Sequence, residues 1–102
     1  MSAIQIHVDS DRDVLIGISG ALNHATWTAL RYRCRDLEDI RVVRVDLAAV
    51  TSIDSAGIGS MLMIKDCVEK KNGKVVLVGA AKNPNVDHII KLAHLDKIFT
   101  IE

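Results

Sequence analysis

With 102 residues, 49% of them hydrophobic, the chain can fill one core and is too short for two ordinary domains, so residues 1–102 are expected to form a single domain. Thirteen basic residues balance thirteen acidic ones and no run of five or six like charges occurs, which argues against an electrostatic footprint for DNA, RNA or anionic lipid. The N-terminal MSAIQIHVDS turns polar too early for a signal peptide, and no apolar stretch approaches the roughly eighteen residues of a membrane span; a soluble, cytoplasmic protein with no direct membrane insertion is expected.

Ile4, Ile6 and Val8 alternate with Gln5 and His7, and after a polar turn over Asp9 to Asp13 the alternation resumes at Val14, Ile16 and Ile18. That period of two predicts an antiparallel hairpin. Gly20 to Asn23 breaks the pattern, and Trp27, Leu30, Cys34 and Leu37 then recur at helical steps, with Arg31, Arg33, Arg35 and Asp36 mostly outside. Asn23 or Thr26 can cap this helix. VVRVDLAAV, Val42 to Val50, and VVLVGA, Val75 to Ala80, are β-branched and apolar almost throughout, as expected of central parallel strands covered on both faces.

Between those strands Ser55 to Lys71 has the length of a crossover helix and stops at Asn72-Gly73. A third helix is marked by Asn83 as cap, Pro84 at its first position, and a stripe of Val86, Ile89, Ile90 and Ala93. Ile98 to Ile101 closes the chain as a short strand. The order β-β-α-β-α-β-α-β predicts an α/β domain on a mixed sheet. Cys34 and Cys67 fall inside helical patterns with no second cysteine or histidine at metal-ligand spacing, so both are expected to be buried, reduced thiols with no catalytic or zinc role; no metal and no cofactor is expected.

Chemistry concentrates in TSIDSAGIGS, Thr51 to Ser60, where a strand gives way to a helix. Three readings of Ser55 are open. In the first, Asp54 or Ser55 is simply the helix cap, and Gly57 and Gly59 make a tight strand-to-helix contact. In the second, Ser55 is a nucleophile with Asp87 and His88 or His94 downstream, but Ile53 stands where a nucleophile elbow needs glycine and no second glycine-rich loop offers an oxyanion hole. No phosphate-cradling GxxxxGK[ST] or GxGxxG occurs either, and Asp9, Asp11 and Asp13 sit in the first turn, away from where a receiver domain gathers its Mg²⁺ ligands. In the third, Ser55 is a modification switch, since a phosphate there meets free amides and the positive end of a helix dipole.

The helix after Ser55 bears on that choice. At about 100° per residue, Ile58, Met61, Leu62 and Val68 share one arc that suffices for a core, leaving Met63 outside it and Ile64 at its edge. Met63 and Ile64 then either pack under a neighbouring element or form a protein-binding surface. Lys65 falls within the core arc and is expected to snorkel.

VDLAAVTSIDSAGIGSMLMI resembles the signature of the STAS domain family, in particular the bacterial anti-sigma-factor antagonists, whose motif is an apolar strand with an aspartate followed by D-S-[ST]-G-[LI]-G at the head of a helix. Asp46, Asp54, Ser55, Gly57, Ile58 and Gly59 match it, and Gly20 and Leu22 match the G-x-L turn before the first helix. The resemblance implies that Ser55 is phosphorylated by a serine kinase that is also an anti-sigma factor, of the histidine-kinase-like ATPase type, and dephosphorylated by a serine phosphatase. It also implies that the unphosphorylated domain binds the kinase, that the phosphorylated one releases it, and that the domain is no enzyme. The expected partner-binding residues are Asn23, Asp54, Ser55, Ala56, Gly57 and Ile58, extended by Met63 and Ile64. Two positions depart from the antagonist pattern G-E-L-D: Ala21 and Asn23 are neutral. With them goes an alternative expectation, a constitutive STAS subunit of a lipid-transporter or sensory complex. Ala56 replaces the motif's second hydroxyl residue, which leaves Ser55 the only acceptor within the motif itself, with Thr51, Ser52 and Ser60 as flanking alternatives. The sequence sets no oligomeric state.

Overall fold

The alternating N-terminal residues pair as expected: β1 (Ala3–Val8) lies antiparallel to β2 (Asp13–Leu22), with Ile4 opposite Ile18 and Ile6 opposite Ile16. The computed structural model describes residues 3–8 and 12–102, so the turn expected over Asp9 to Asp13 lies outside the described residues through position 11. β2 runs on through Gly20, at φ 80°, where a break is predicted from sequence; a glycine lets the strand bend there without ending. The remaining elements are α1 (His24–Asp36), β3 (Val42–Ile53), α2 (Ser55–Glu69), β4 (Lys74–Val78), α3 (Pro84–Leu92) and β5 (Thr100–Ile101). Short 3₁₀ turns at Ala80–Lys82 and Leu95–Lys97 have no counterpart in the sequence reading.

The five strands form one mixed sheet in the order β1-β2-β3-β4-β5, parallel from β2 onward. Val14, Ile16 and Ile18, Val43, Val45 and Leu47, and Val75 and Leu77 point to one face. There they meet Leu30 and Cys34 of α1, Met61, Ile64 and Val68 of α2, and Val86 and Ile90 of α3 in a single core. The opposite face is not roofed by helices, contrary to the coverage on both sides expected for β3 and β4. Leu15 is exposed there and Arg44 and Asp46 are half-buried, and in retrospect the polar alternation at those two β3 positions marks an open face; Val76, beside Thr100, is its buried exception. At the N-terminal end of β3, Arg41 donates twice to the Asp13 carboxylate, at 3.1 and 3.2 Å, and holds that carboxyl below its ordinary range. The stabilisation is present above the ordinary carboxylate range and fades as pH falls through the lowered value.

β3 is longer than its neighbours require. It advances from Asp46 to Ala49 while β2 advances from Gly17 to Ser19, and slips again between Val50 and Ser52. At the first bulge Asp46 Oδ1 accepts from Ala48 N at 3.0 Å. Asn83 caps α3, accepting from Val86 N, and its Nδ2 donates to the carbonyls of Leu47 (3.2 Å), Ala48 (3.3 Å) and Val50 (2.6 Å), which ties the start of α3 to the bulged strand. β4 stops at Val78 because Gly79, at φ 79°, turns the chain beneath Asp46; the last strand shortens because Phe99 is drawn into the core.

α2 is rotated relative to the predicted arc. Its buried stripe is Gly57, Met61, Ile64 and Val68, whereas Leu62 is 39% and Met63 51% exposed. Ile64, at 2% exposure, is core and leaves the expected partner surface, and Leu62 takes the outward place. Lys65 keeps its ammonium outside on Glu69, 2.6 Å away.

The expectation of reduced thiols is also overturned. Cys34 and Cys67 are joined in a disulfide between α1 and α2, their Cα atoms 6.7 Å apart. Local spacing along the chain holds no hint of the pairing, because it arises only once two helices lie side by side on the sheet. Linking residues 33 apart constrains the unfolded chain by about 3–4 kcal/mol in the chain-entropy model. Urea unfolding with and without dithiothreitol should show a lower midpoint on reduction, matched by the Cys34→Ser/Cys67→Ser variant in either buffer; coincident curves would contradict the cross-link.

Candidate functional site

Because β2 and β3 are parallel neighbours, their C-terminal ends deliver the starts of α1 and α2 to the same edge of the sheet. Two loops meet there. Asn23 caps α1, its Oδ1 accepting from Ala25 N at 3.0 Å, while Thr26 Oγ1 accepts from Asn23 N at 3.1 Å. The two cap candidates read from the sequence thus work as a reciprocal pair. Asp54 caps α2, its Oδ1 accepting from Gly57 N at 2.7 Å.

The loops are clasped to each other. Asp54 N donates to the Leu22 carbonyl at 3.4 Å, and the buried Ser60 Oγ lies 3.0 Å from both the Asn23 and the Ala56 carbonyls. Gly57 closes the joint: a β-carbon there would collide with the Leu22 carbonyl oxygen. Gly59, paired with Gly57 in the sequence reading, has nothing within 4 Å of such an atom, so no close approach requires a glycine there. The sequence reading names Ser60 only as a flanking hydroxyl and misses its part in this joint. A serine in mid-helix commonly bonds back to the carbonyl four residues earlier, and that habit is the one signal that could have marked it.

These bonds sort the hydroxyls. Ser60 is buried and engaged, and Thr51 and Ser52 lie exposed on β3. Ser55 is the first helical residue of α2, exposed, and among the described residues its hydroxyl has no hydrogen-bond partner, since Asp54 does the capping. No acidic side chain occupies the first turn of α2. Ala56 is exposed and Ile58 half-buried; Gly57 is buried and serves the joint rather than the surface. Of the expected partner residues, the structure therefore gathers Asn23, Asp54, Ser55, Ala56 and Ile58 at this edge, with Met63 two turns along α2 and Ile64 withdrawn into the core.

The residues considered for a hydrolase do not assemble. Asp87 is paired with Lys91 at 2.8 Å on α3, His88 is exposed on the same helix, and His94 follows it at φ 58°; none is hydrogen-bonded to Ser55 among the described residues. Among the described residues no group of three His, Cys, Asp or Glu is placed to hold a metal ion, and no helix is long and apolar enough to cross a membrane.

The family model of the STAS domain matches residues 4–102. Among solved structures, an anti-sigma factor antagonist from Mycobacterium paratuberculosis superposes with a TM-score of 0.76 at 23% identity, over 99% of this chain and 85% of that one. The Bacillus cell fate determinant SpoIIAA in its phosphorylated form gives 0.70 at 17% identity, over 98% and 91%. A sulfate transporter family protein from Wolinella succinogenes gives 0.76 at 15% identity, over 90% and 74%. At these identities the likenesses speak for the fold.

Two pairs of substitutions test the geometry by thermal unfolding. Gly57→Ala should destabilise by roughly 1–3 kcal/mol through overpacking, whereas Gly59→Ala should stabilise by up to about 1 kcal/mol. Asp54→Ala should cost about 1 kcal/mol as a lost cap, and Ser55→Ala less than about 0.5 kcal/mol as a surface change. Equal effects within either pair would contradict the assigned roles.

Proposed function

The chain belongs to the STAS domain family, and from that premise we propose that it is a phosphorylation-controlled protein-binding module, an anti-sigma-factor antagonist rather than an enzyme. In this reading the unphosphorylated Ser55 edge binds a serine kinase that doubles as an anti-sigma factor, of the histidine-kinase-like ATPase type, and phospho-Ser55 releases it until a serine phosphatase restores the free hydroxyl. The observation that carries the reading is the exposed, unengaged Ser55 hydroxyl beside an Asp54 that already caps the helix.

A phosphate on Ser55 adds about 1.5–2 negative charges without displacing the cap. It stands at the helix N-terminus, where unpaired amides and the dipole favour an anion, so α2 keeps its fold. The change is felt by whatever packs on the surface. Ala56, Leu62 and Met63 offer an apolar contact, and a dianion at its margin opposes desolvation and repels carboxylates brought by a partner. Asn23, tied to Thr26 as a cap, adds hydrogen-bonding capacity at this edge but no charge.

A second reading, a constitutive subunit of a lipid-transporter or sensory complex, is favoured by the neutral Ala21 and Asn23 where antagonists of this type carry acids. One experiment separates the two. Affinity capture from lysate of the source cells with wild type, Ser55→Ala and Ser55→Asp, with phosphopeptide mass spectrometry of the recovered protein, should show phosphate at Ser55 and loss of one shared partner from the Ser55→Asp sample only. Absence of phosphate together with identical partners in all three samples would reject the switch, and stoichiometric capture of membrane proteins by all three would establish the subunit.

A further inference from the structure

The chain has three aromatic residues, and they are not distributed as a core would use them. Phe99 is buried, whereas Trp27 is half-buried at the rim of the α1–α2 pair and Tyr32 is 54% exposed on α1. Trp27, Arg31 and Arg35 of α1 face Met63, Cys67 and Lys70 of α2 across a groove of about 500 Å³, next to the Cys34–Cys67 disulfide. That is within the range of sites that take an organic side chain or ligand, roughly 300–1,000 Å³.

The rim is charged in one sense. Arg31, Arg35, Lys70 and Lys71 border the groove against one carboxylate, Asp66, on a chain whose net charge is zero. Lys70 is 3.0 Å from Asp66, and Lys71 donates to the carbonyls of Cys34 (2.6 Å) and Arg35 (2.7 Å) at the end of α1. Neither Arg31 nor Arg35 meets a carboxylate among the described residues. Both are held by Tyr32 instead: Arg31 Nη2 donates to Tyr32 Oη at 2.9 Å, and the two guanidinium carbons stand 4.7 and 5.9 Å from the ring centroid. An arginine steadied on an aromatic face loses less freedom when it binds a carboxylate in its planar fork.

We propose that this groove binds an acidic, amphipathic segment of a partner protein, with an apolar side chain seated between Trp27 and Met63 and carboxylates on Arg31 and Arg35. Trp, Met and Arg are among the residue types enriched where proteins bind one another, and here Trp27, Met63, Arg31 and Arg35 line one groove, with Tyr32 holding the two arginines and Met63 common to this groove and the apolar contact beside Ser55. The charge chooses the occupant: an apolar floor under guanidinium groups that meet no carboxylate among the described residues favours a peptide carrying Asp or Glu beside a large apolar residue and rejects a basic one. The site does not depend on Ser55 and stands whether or not that residue is a switch.

Selection of displayed random 12-residue peptides on the immobilised wild-type protein tests the proposal. Enriched peptides should place acidic residues around one or two large apolar ones, and as synthetic peptides they should shift the fluorescence of Trp27, the chain's one tryptophan. Arg31→Glu/Arg35→Glu changes only exposed side chains, and once its thermal unfolding has been shown to match wild type it should bind these peptides about tenfold more weakly or worse. Three results would overturn the proposal: no enrichment or a basic consensus, equal binding by the double variant, or a fluorescence shift obtained with phosphatidylglycerol vesicles and with no selected peptide. None of them touches the Ser55 reading, whose residue is unaltered throughout.

Discussion

The close approach of α2 to the end of β2 governs the architecture around Ser55. With no side chain at Gly57, the first turn of the helix rests on the Leu22 carbonyl, and the Asp54 amide and the Ser60 hydroxyl bond to the same loop. Once residue 57 faces inward, the helical repeat places Met61, Ile64 and Val68 inward with it. Ser55, Leu62 and Met63 are then turned out. The exposure of the serine is thus a consequence of a backbone contact two residues away, and a larger residue at 57 would alter the surface as much as the core.

That contact also explains which parts of the fold could be read beforehand. Element order and the mixed sheet were legible because Ile4 to Ile18 alternate, β3 and β4 are β-branched, and Asn83-Pro84 and Asn72-Gly73 are strong punctuation. The caps were legible as alternatives, Asn23 or Thr26 and Asp54 or Ser55, for the same local reasons, and the fold selects Asn23, backed by Thr26, and Asp54. The rotation of α2 was not: Ile58, Met61, Leu62 and Val68 form an adequate apolar arc by themselves, and only the tertiary contact at Gly57 selects the alternative with Ile64. Gly57 and Gly59 look alike in the sequence and do different things, since a β-carbon at 57 would meet a carbonyl and one at 59 would meet open space. The disulfide and the open face of β3 were missed because both depend on which element lies across from which, information that local spacing does not contain.

The two helices that flank this edge form one mechanical unit. They are fastened near their starts by the Ser60 hydroxyl, along their length by Cys34–Cys67, and at the far end by Lys71, whose ammonium reaches the last carbonyls of α1. A cation at a helix C-terminus opposes the negative end of the dipole, so the last of these fastenings is electrostatic as well as geometric. A pair held at three levels presents Ser55 and the Trp27–Met63 groove on a rigid support. Binding at either place then spends little on ordering the scaffold.

The bulges of β3 place a constraint of a different kind. Between Asp46 and Asp54 the strand carries more residues than β2 matches, and the surplus is held by Asp46 on Ala48 N and by Asn83 on three carbonyls. Side chains alternate along a strand, so a deletion or insertion of one residue in this interval would exchange inside for outside beyond it. Substitutions of similar size between 47 and 53 leave the outward placement of Ser55 intact, whereas a change in the number of residues does not. The interval between the bulge and the serine acts as a length, much as a reading frame does.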